Sequence, residues 1–162
     1  MSTNAPTPDP ALNADALRFA ICATRWNGEI VEQLLAGARS ALTKRGAREV
    51  QVYRCSGAFE LAPLAARVAR AGDVDGIVAL ACLIRGGTDH YALLASELTR
   101  ALGTLSMEAA TSPRALAVSF GVLACETLEQ AQERADPRRL DKGGEAALAC
   151  LEQVRALRAV PS

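Results

Sequence analysis

The sequence has 162 residues but only one histidine, His90, and aromatic side chains make up only 4% of it. Lysine and arginine number 18, and so do aspartate and glutamate, so the formal net charge is zero. A balanced charge gives no reason to expect nucleic acid or an anionic membrane as a partner. No stretch reaches the ~18 uncharged apolar residues of a membrane span, and a signal-peptide pattern is lacking. These absences predict a soluble protein of the cytoplasm.

The five cysteines are odd in number, lie mostly in apolar runs and include no CxxC pair. They are Cys22, Cys55, Cys82, Cys125 and Cys150. This pattern predicts small buried thiols in a reducing compartment and neither a disulfide framework nor a zinc site. A nucleophilic role for Cys82 or Cys125 stays open, although inert burial is the more ordinary interpretation. Walker, GxGxxG, HExxH and DxDxDG motifs are also missing, so we expect no dinucleotide and no metal.

The N-terminus differs in composition from the rest of the chain. Pro6, Pro8 and Pro10 favour an extended or disordered segment. Residues 1–16 are therefore predicted to be a flexible arm and residues 17–162 a single domain, with regular structure beginning at Arg18. Half of the chain is hydrophobic, which is enough for one domain of this length to bury a substantial core.

Short apolar runs alternate with segments of helical periodicity. The runs predict strands at 18–23, 49–54, 76–83 and 115–120, and helices are predicted after 27, at 59–70, at 91–105, after 127 and at 143–156. Asn27 is expected to cap the first helix, and Thr127 with Gln130 forms a capping box. The alternation predicts an α/β layered domain with a mainly parallel sheet.

The segments that leave the predicted strands carry most of the unusual residues, and ligands of such folds bind beyond the carboxyl ends of the strands. Trp26 can stack on a flat heterocycle or serve as a core or interface aromatic. Glu60, after Gly57 at a helix start, can accept hydrogen bonds from hydroxyl groups or complement the helix dipole. Both interpretations stay open for both residues.

The turn Gly86-Gly87-Thr88 precedes another predicted helix and can offer its N–H groups to a phosphate, although glycine pairs also occur in ordinary turns. His90 follows it, and histidine is the side chain that titrates near neutrality. A lone histidine is nevertheless more often a surface or core residue than a catalyst. Arg134 can bind the same phosphate or be a solvated helix charge.

Six segments of the chain resemble motifs of the lumazine synthase family, in the family's order and across about residues 18–157. They are Arg25-Trp26-Asn27, Ser56-Gly57-Ala58-Phe59-Glu60-Leu61, Leu83-Ile84-Arg85-Gly86-Gly87-Thr88-Asp89-His90-Tyr91, Phe120-Gly121-Val122-Leu123, Glu129-Gln130-Ala131-Gln132-Glu133-Arg134-Ala135 and Asp141-Lys142-Gly143. The combination of GAFE, IRGxTxH and EQAxERA is highly specific.

The resemblance implies a flavodoxin-like three-layer α/β/α sandwich with a four-stranded parallel sheet of order 2-1-3-4. It also implies the penultimate step of riboflavin biosynthesis, in which 5-amino-6-(D-ribitylamino)uracil condenses with 3,4-dihydroxy-2-butanone 4-phosphate. The products are 6,7-dimethyl-8-ribityllumazine, phosphate and water. No cofactor is needed, because an imine forms, phosphate leaves and the ring closes.

The resemblance also implies roles for thirteen residues. His90 would move protons during imine formation and phosphate loss. The pyrimidine and ribityl groups would be held by Trp26, Ala58, Phe59, Glu60, Cys82, Leu83, Ile84 and, from a neighbouring subunit, Phe120. The phosphate would be bound by Gly87, Thr88, Arg134 and Lys142.

Several positions depart from the family pattern. The usual Val-Pro before GAFE is Cys55-Ser56, the usual proline before the phenylalanine strand is Ala117, and the usual Asn-Lys-Gly begins with Asp141. The loop around residues 112–114 also looks longer than typical. None of these removes a proposed catalytic group, so activity is favoured. The alternative is a catalytically weak paralogue that binds flavin or lumazine, or that forms a shell.

Assembly is open between three states of the family: pentamers, decamers of two pentamers and hollow icosahedral shells of 60 subunits. In all of them the active sites lie between subunits of a pentamer. The length of segment 134–143 favours the shell, which would enclose riboflavin synthase in some relatives. The composition of residues 136–140 and the proline-rich arm argue against it.

Overall fold

The computed structural model describes residues 9–161, in which four strands alternate with five helices. The strands are β1 (Arg18–Thr24), β2 (Glu49–Cys55), β3 (Gly76–Ile84) and β4 (Ala117–Cys125). The helices are α1 (Gly28–Lys44), α2 (Ala58–Ala71), α3 (His90–Ala110), α4 (Leu128–Ala135) and α5 (Lys142–Ala159). Within this range, no helix is both long and apolar enough to cross a membrane.

The strands are all parallel and pair in the order β2-β1-β3-β4, which confirms the order 2-1-3-4. The two central strands are buried along almost their whole length. Continuous apolar runs suit such positions, because a parallel sheet is covered by helices on both faces.

Two hydrophobic clusters, one on each face of the sheet, confirm the three-layer arrangement. Phe19 and Ile21 of β1 pack into the cluster that includes α1 and α5. The alternate residues Ala20 and Cys22 pack into the cluster that includes α2 and α3. Side chains of successive strand residues point to opposite faces, so one strand supplies both cores.

The predicted range 115–120 for the fourth strand is wrong at both ends, because β4 begins at Ala117 and continues to Cys125. Gly121 lies inside the strand, where its missing side chain serves packing: a Cβ there would lie 2.5 Å from Cδ2 of Leu80 and 3.1 Å from Cβ of Ala146. The third helix also exceeds its predicted range of 91–105, since it begins at His90 and ends at Ala110.

The described part of the N-terminal arm, residues 9–16, packs on the domain. The Arg45 guanidinium donates hydrogen bonds to the main-chain oxygens of Asp9, Pro10 and Leu12, and Ala14 is fully buried. Ordered structure therefore begins before Arg18, and the prediction that it begins at Arg18 is wrong. The predicted flexibility of residues 1–8 concerns a segment outside the described residues.

Candidate active site

A cleft of about 570 Å³ lies at the carboxyl ends of β1 and β3, between the N-termini of α2 and α3. Nine of the thirteen predicted site residues line it: Trp26, Ala58, Phe59, Glu60, Cys82, Leu83, Ile84, Thr88 and His90. They come from three stretches of the sequence, around residue 26, at 58–60 and at 82–90, which the parallel topology brings to one edge of the sheet. The other lining residues are Thr24, Asn27, Gly57, Ala81, Gly86, Tyr91 and Leu94.

Trp26 and Phe59 present aromatic surface at this cleft. Their exposed fractions are 73% and 67%, respectively, so neither is a core residue of the chain. The main chain of Trp26 is nevertheless fixed, because its N–H donates to the carbonyl of Ser56 over 3.2 Å. An exposed ring on a fixed backbone fits stacking on a flat ligand or on another subunit, and the core alternative for Trp26 is wrong.

Asn27 occupies the N-cap position of α1, but its side chain does not cap the helix as the sequence predicted. Its Nδ2 donates instead to the main-chain oxygen of Cys82, over 2.8 Å. The residue has φ 54°, in the left-handed region, where asparagine is tolerated better than most side chains. The bond links the loop after β1 to the end of β3 along the wall of the cleft.

Glu60 makes a capping hydrogen bond that neither interpretation of the sequence included. Its Oε2 accepts a hydrogen bond from the N–H of Gly57, the N-cap residue of α2, over 3.0 Å. The carboxylate therefore satisfies one of the free N–H groups at the helix start. Since the residue is exposed and lines the cleft, its other oxygen is available to a ligand.

The start of α3 has the features of an anion site. Asp89 is the N-cap residue, its side chain makes no capping hydrogen bond, and no acidic residue follows in the first helical turn. Gly86 and Gly87 are exposed, with open space where a Cβ would stand. Free N–H groups and the helix dipole attract a negative charge at such a position. Gly86 lines the cleft, whereas the predicted Gly87 does not.

Arg85 is engaged by neighbouring side chains at the entry to this turn. Its Nε donates to Oε2 of Glu126 over 2.6 Å, and its guanidinium carbon lies 4.6 Å from the centre of the Tyr91 ring. Its own N–H donates to the carbonyl of Cys125. These contacts tie the turn to the end of β4.

The thiols of Cys82 and Cys125 near the cleft have raised pKa values, which favours an inert role over a nucleophilic one. Burial raises the pKa of the Cys82 thiol to about 12, well above the ordinary value for cysteine. Burial also raises the pKa of Cys125, against the charge of Arg134, which lowers it. A nucleophilic cysteine must ionise readily, and an environment that keeps the proton on sulfur opposes this.

Four predicted residues do not line the cleft of their own chain: Gly87, Phe120, Arg134 and Lys142. Phe120 of β4 is 49% exposed, as expected of a side chain that would act on a neighbouring subunit. Arg134 donates to the carbonyl of Gln130 one helical turn earlier. Lys142 pairs with Glu145 at the start of α5.

Sequence reasoning singled out no role at the cleft for Thr24, Ala81, Tyr91 or Leu94. Thr24 and Ala81 stand near the ends of the two central strands, where alternation along a strand could have placed them on the side of the cleft. Leu94 follows His90 by four residues, so both lie on one face of α3. Periodicity therefore contained the signal for Thr24, Ala81 and Leu94, although their side chains suggested no chemistry.

Comparisons with known proteins agree with this architecture. The family profile described as 6,7-dimethyl-8-ribityllumazine synthase matches residues 16–158. A protein of that name from Anaeromyxobacter sp. is 43% identical over 150 residues, which cover 91% of this chain and 89% of the relative. The Myxococcus xanthus protein of the same name is 43% identical over 139 residues (85% and 83%). The Chlorobium limicola protein, also so named, is 40% identical over 150 residues (91% and 94%).

Proposed function

The chain belongs to the 6,7-dimethyl-8-ribityllumazine synthase family, and we propose that it catalyses the condensation for which that family is named. The substrates are 5-amino-6-(D-ribitylamino)uracil and 3,4-dihydroxy-2-butanone 4-phosphate, and the reaction releases phosphate and two molecules of water. It takes place in the cytoplasm and needs no cofactor. The observation that carries this proposal is the convergence of nine predicted residues on one cleft.

The cleft has separate regions for the two substrates. The pyrimidine stacks on Trp26 and meets main-chain groups of residues 82–84 at the end of β3. The ribityl chain extends toward the start of α2, where Ala58 and Phe59 line the wall and Glu60 has a free carboxylate oxygen. The phosphate of the second substrate binds at the start of α3, at Gly87 and Thr88.

His90 stands at the first position of α3, beside the proposed phosphate site. The 5-amino group attacks the ketone, water is lost and an imine forms. Loss of the proton at C3 then expels phosphate and leaves an enol, which becomes a ketone at C3. The ribitylamino nitrogen attacks this ketone, and loss of a second water closes the ring. Each step needs a proton moved between nitrogen, oxygen and carbon, and the imidazole of His90 is suited to this task. The N–H groups at the helix start stabilise the departing phosphate.

Phe120, Arg134 and Lys142 complete the site from a neighbouring subunit of a pentamer. The support for this is that none of the three lines the cleft of its own chain, while Phe120 is half exposed. Phe120 covers the free face of the pyrimidine, and Arg134 and Lys142 balance the charge of the phosphate. The pentamers assemble further into a 60-subunit shell, the state favoured by the length of segment 134–143.

The departures from the family pattern leave the cleft intact. Cys55 and Ser56 replace a Val-Pro pair, but the following Gly57 still donates its N–H to Glu60. Ala117 pairs in register with Gly76 at the start of β4. No observation at these positions favours the weak paralogue.

The direct test is to mix purified protein with both substrates and to record the absorbance and fluorescence of the lumazine product. We expect a rate well above the spontaneous condensation, and a rate no higher would contradict the proposed activity. Light scattering and negative-stain microscopy test the assembly separately. Particles the size of a pentamer or a decamer would contradict the shell.

A mixed-assembly experiment tests whether the site is shared between subunits. We expect the single variants His90→Ala and Arg134→Ala to be impaired. When the two variants are dissociated and reassembled together, some clefts receive His90 from one chain and Arg134 from the other. Partial recovery of activity is expected. No recovery, with co-assembly verified by differential tags, would place both residues in the same subunit's site.

A further inference from the structure

The floor of the cleft contains a buried hydroxyl group whose hydrogen-bonding capacity is unused. Thr24, the last residue of β1, is 1% exposed, and its Oγ1 has no partner among the described residues 9–161. A buried hydroxyl without a partner lowers stability relative to an apolar group of the same shape. Every residue between Arg18 and Thr24 in this strand is apolar. Thr24 is therefore a polar exception that folding alone does not explain.

The position of Thr24 connects this hydroxyl with the ligand. Along β1, Thr24 alternates with Ala20 and Cys22, which pack into the cluster on the α2 and α3 side of the sheet. The cleft opens on that side, and Thr24 lines it together with Ala81 and Leu83. Rotation about the Cα–Cβ bond exchanges the hydroxyl and methyl positions between staggered rotamers, so the oxygen can turn toward a ligand without backbone movement.

We propose that Thr24 is a specificity-determining residue that hydrogen-bonds the polar edge of the pyrimidine ring. The inference rests on the proposed function, since it concerns the substrate of the same cleft. Trp26 and Asn27 stand two and three residues after Thr24 and line the same cleft, so the hydroxyl lies on the side where the ring stacks. The phosphate turn belongs to another strand end, after β3. A hydroxyl both donates and accepts, so it matches a ring N–H as well as a ring carbonyl.

The test compares Thr24→Val, which keeps the shape and removes the hydroxyl, with Thr24→Ser, which keeps the hydroxyl. Calorimetry with 5-amino-6-(D-ribitylamino)uracil alone, under anaerobic conditions, measures binding without turnover. We expect Thr24→Val to weaken binding about tenfold, the effect of one neutral hydrogen bond. Thr24→Ser should bind within about threefold of the wild type.

Two further measurements separate this role from a structural one. The KM for the butanone phosphate should be unchanged in Thr24→Val, because the phosphate binds elsewhere. The unfolding midpoint should equal or exceed that of the wild type, since the valine leaves no unpaired group in the core. Ser119→Ala is a matched control, because Ser119 is a buried hydroxyl residue of β4 that does not line the cleft. It should leave pyrimidine binding unchanged.

The proposal is overturned if Thr24→Val binds the pyrimidine within twofold of the wild type. It is also overturned if Thr24→Ser loses as much affinity as Thr24→Val, because shape and not the hydroxyl would then matter. Failure of the proposed function looks different: wild-type protein would not accelerate lumazine formation. The calorimetric comparison would still report on Thr24 in that case.

Discussion

The side-chain amide of Asn27 donates a hydrogen bond to the main-chain oxygen of Cys82 over 2.8 Å. It joins the loop after β1 to the C-terminal end of β3. The two residues are 55 positions apart in the chain, so the bond is a tertiary contact between two segments of the cleft wall. It holds the loop that presents Trp26. It also holds the strand end whose main-chain groups face the proposed pyrimidine.

Two substitutions at Asn27 should separate the contribution of this hydrogen bond to the free energy of unfolding from the strain of the residue's positive φ. We expect Asn27→Ala to lower the free energy of unfolding by about 2 kcal/mol, since it loses the bond and places a Cβ residue at positive φ. Asn27→Gly loses the bond but accepts the conformation, so it should be less destabilised by about 1 kcal/mol. Urea unfolding measures both values. Equal losses in the two variants would show that backbone strain is not part of the effect.

Much of the fold was predictable because burial on both faces leaves a plain pattern in parallel strands. β3 is apolar from Gly76 to Ile84, and its predicted range differs from the structure by one residue. The end of β4 was harder to predict because a glycine can either weaken a strand or allow close packing within it. Gly121 does the second, since it allows Leu80 and Ala146 to approach the strand closely. Asn27 was also mispredicted. Its place before a helical segment suggested a helix cap, but its side chain bonds to Cys82, a partner that only the tertiary structure brings near.

Arg134→Ala should weaken binding of the phosphate substrate and leave that of the pyrimidine nearly unchanged. A guanidinium that pairs with a phosphate contributes charge-assisted hydrogen bonds, so we expect the KM for the butanone phosphate to rise about tenfold to a hundredfold. Steady-state kinetics with each substrate varied in turn provide the measurement. Arg139→Ala is the control, because Arg139 is an exposed arginine of the same region that pairs with Glu133. An equal rise in both KM values would contradict a phosphate-specific role.

His90→Ala should lower turnover more than it lowers affinity. The condensation also proceeds slowly without an enzyme, so positioning contributes much of the acceleration, and we expect a loss of about a hundredfold in kcat, the low end for acid–base catalysis. His90→Gln tests whether hydrogen bonding without titration is sufficient. If His90→Ala loses pyrimidine affinity strongly while kcat stays at the wild-type value, the histidine is a binding residue.

The site was less predictable than the fold, and the residues that escaped prediction share a property. Thr24 and Leu94 line the cleft through strand and helix geometry, whereas sequence motifs draw attention to glycine, histidine and charged residues. The resemblance identified the other side chains, but the chain alone does not bring Arg134 or Phe120 into the cleft. Both are proposed to act across a subunit boundary, and contacts within one chain cannot reveal such a role.

The buried thiols should make the protein less stable above about pH 9. Burial raises the pKa of Cys22, Cys82 and Cys150 to about 12, whereas unfolded thiols ionise near 9. Between these values the unfolded state releases protons first, so the free energy of unfolding falls as the pH rises. Below about pH 8 the thiols are neutral in both states and contribute no pH dependence.

Urea unfolding between pH 7 and pH 10.5 measures this effect, with Cys150→Ala as the comparison. The variant should be less stable at pH 7 because it leaves a small cavity, but its stability should fall less steeply above pH 9. The difference approaches ~1.4 kcal/mol per pH unit for one thiol. Parallel curves for the two proteins would rule out the Cys150 thiol as a source of the alkaline loss.

The close crossing of α1 and α5 should make Gly143 intolerant of any side chain. A Cβ at Gly143 would overlap the main-chain oxygen of Leu34, which cannot move without distorting α1. We expect Gly143→Ala to lower the free energy of unfolding by about 3 kcal/mol or more, as overpacking against a backbone does. Gly103→Ala is the matched control, because that glycine is an exposed residue inside α3 and a Cβ there would meet nothing within 4 Å beyond the adjacent backbone of its own helix. Alanine there should raise stability by about 0.5–1 kcal/mol, since glycine costs a helix more backbone entropy than alanine. Thermal and urea unfolding of the two variants should therefore move in opposite directions, and a shared direction would contradict the packing argument.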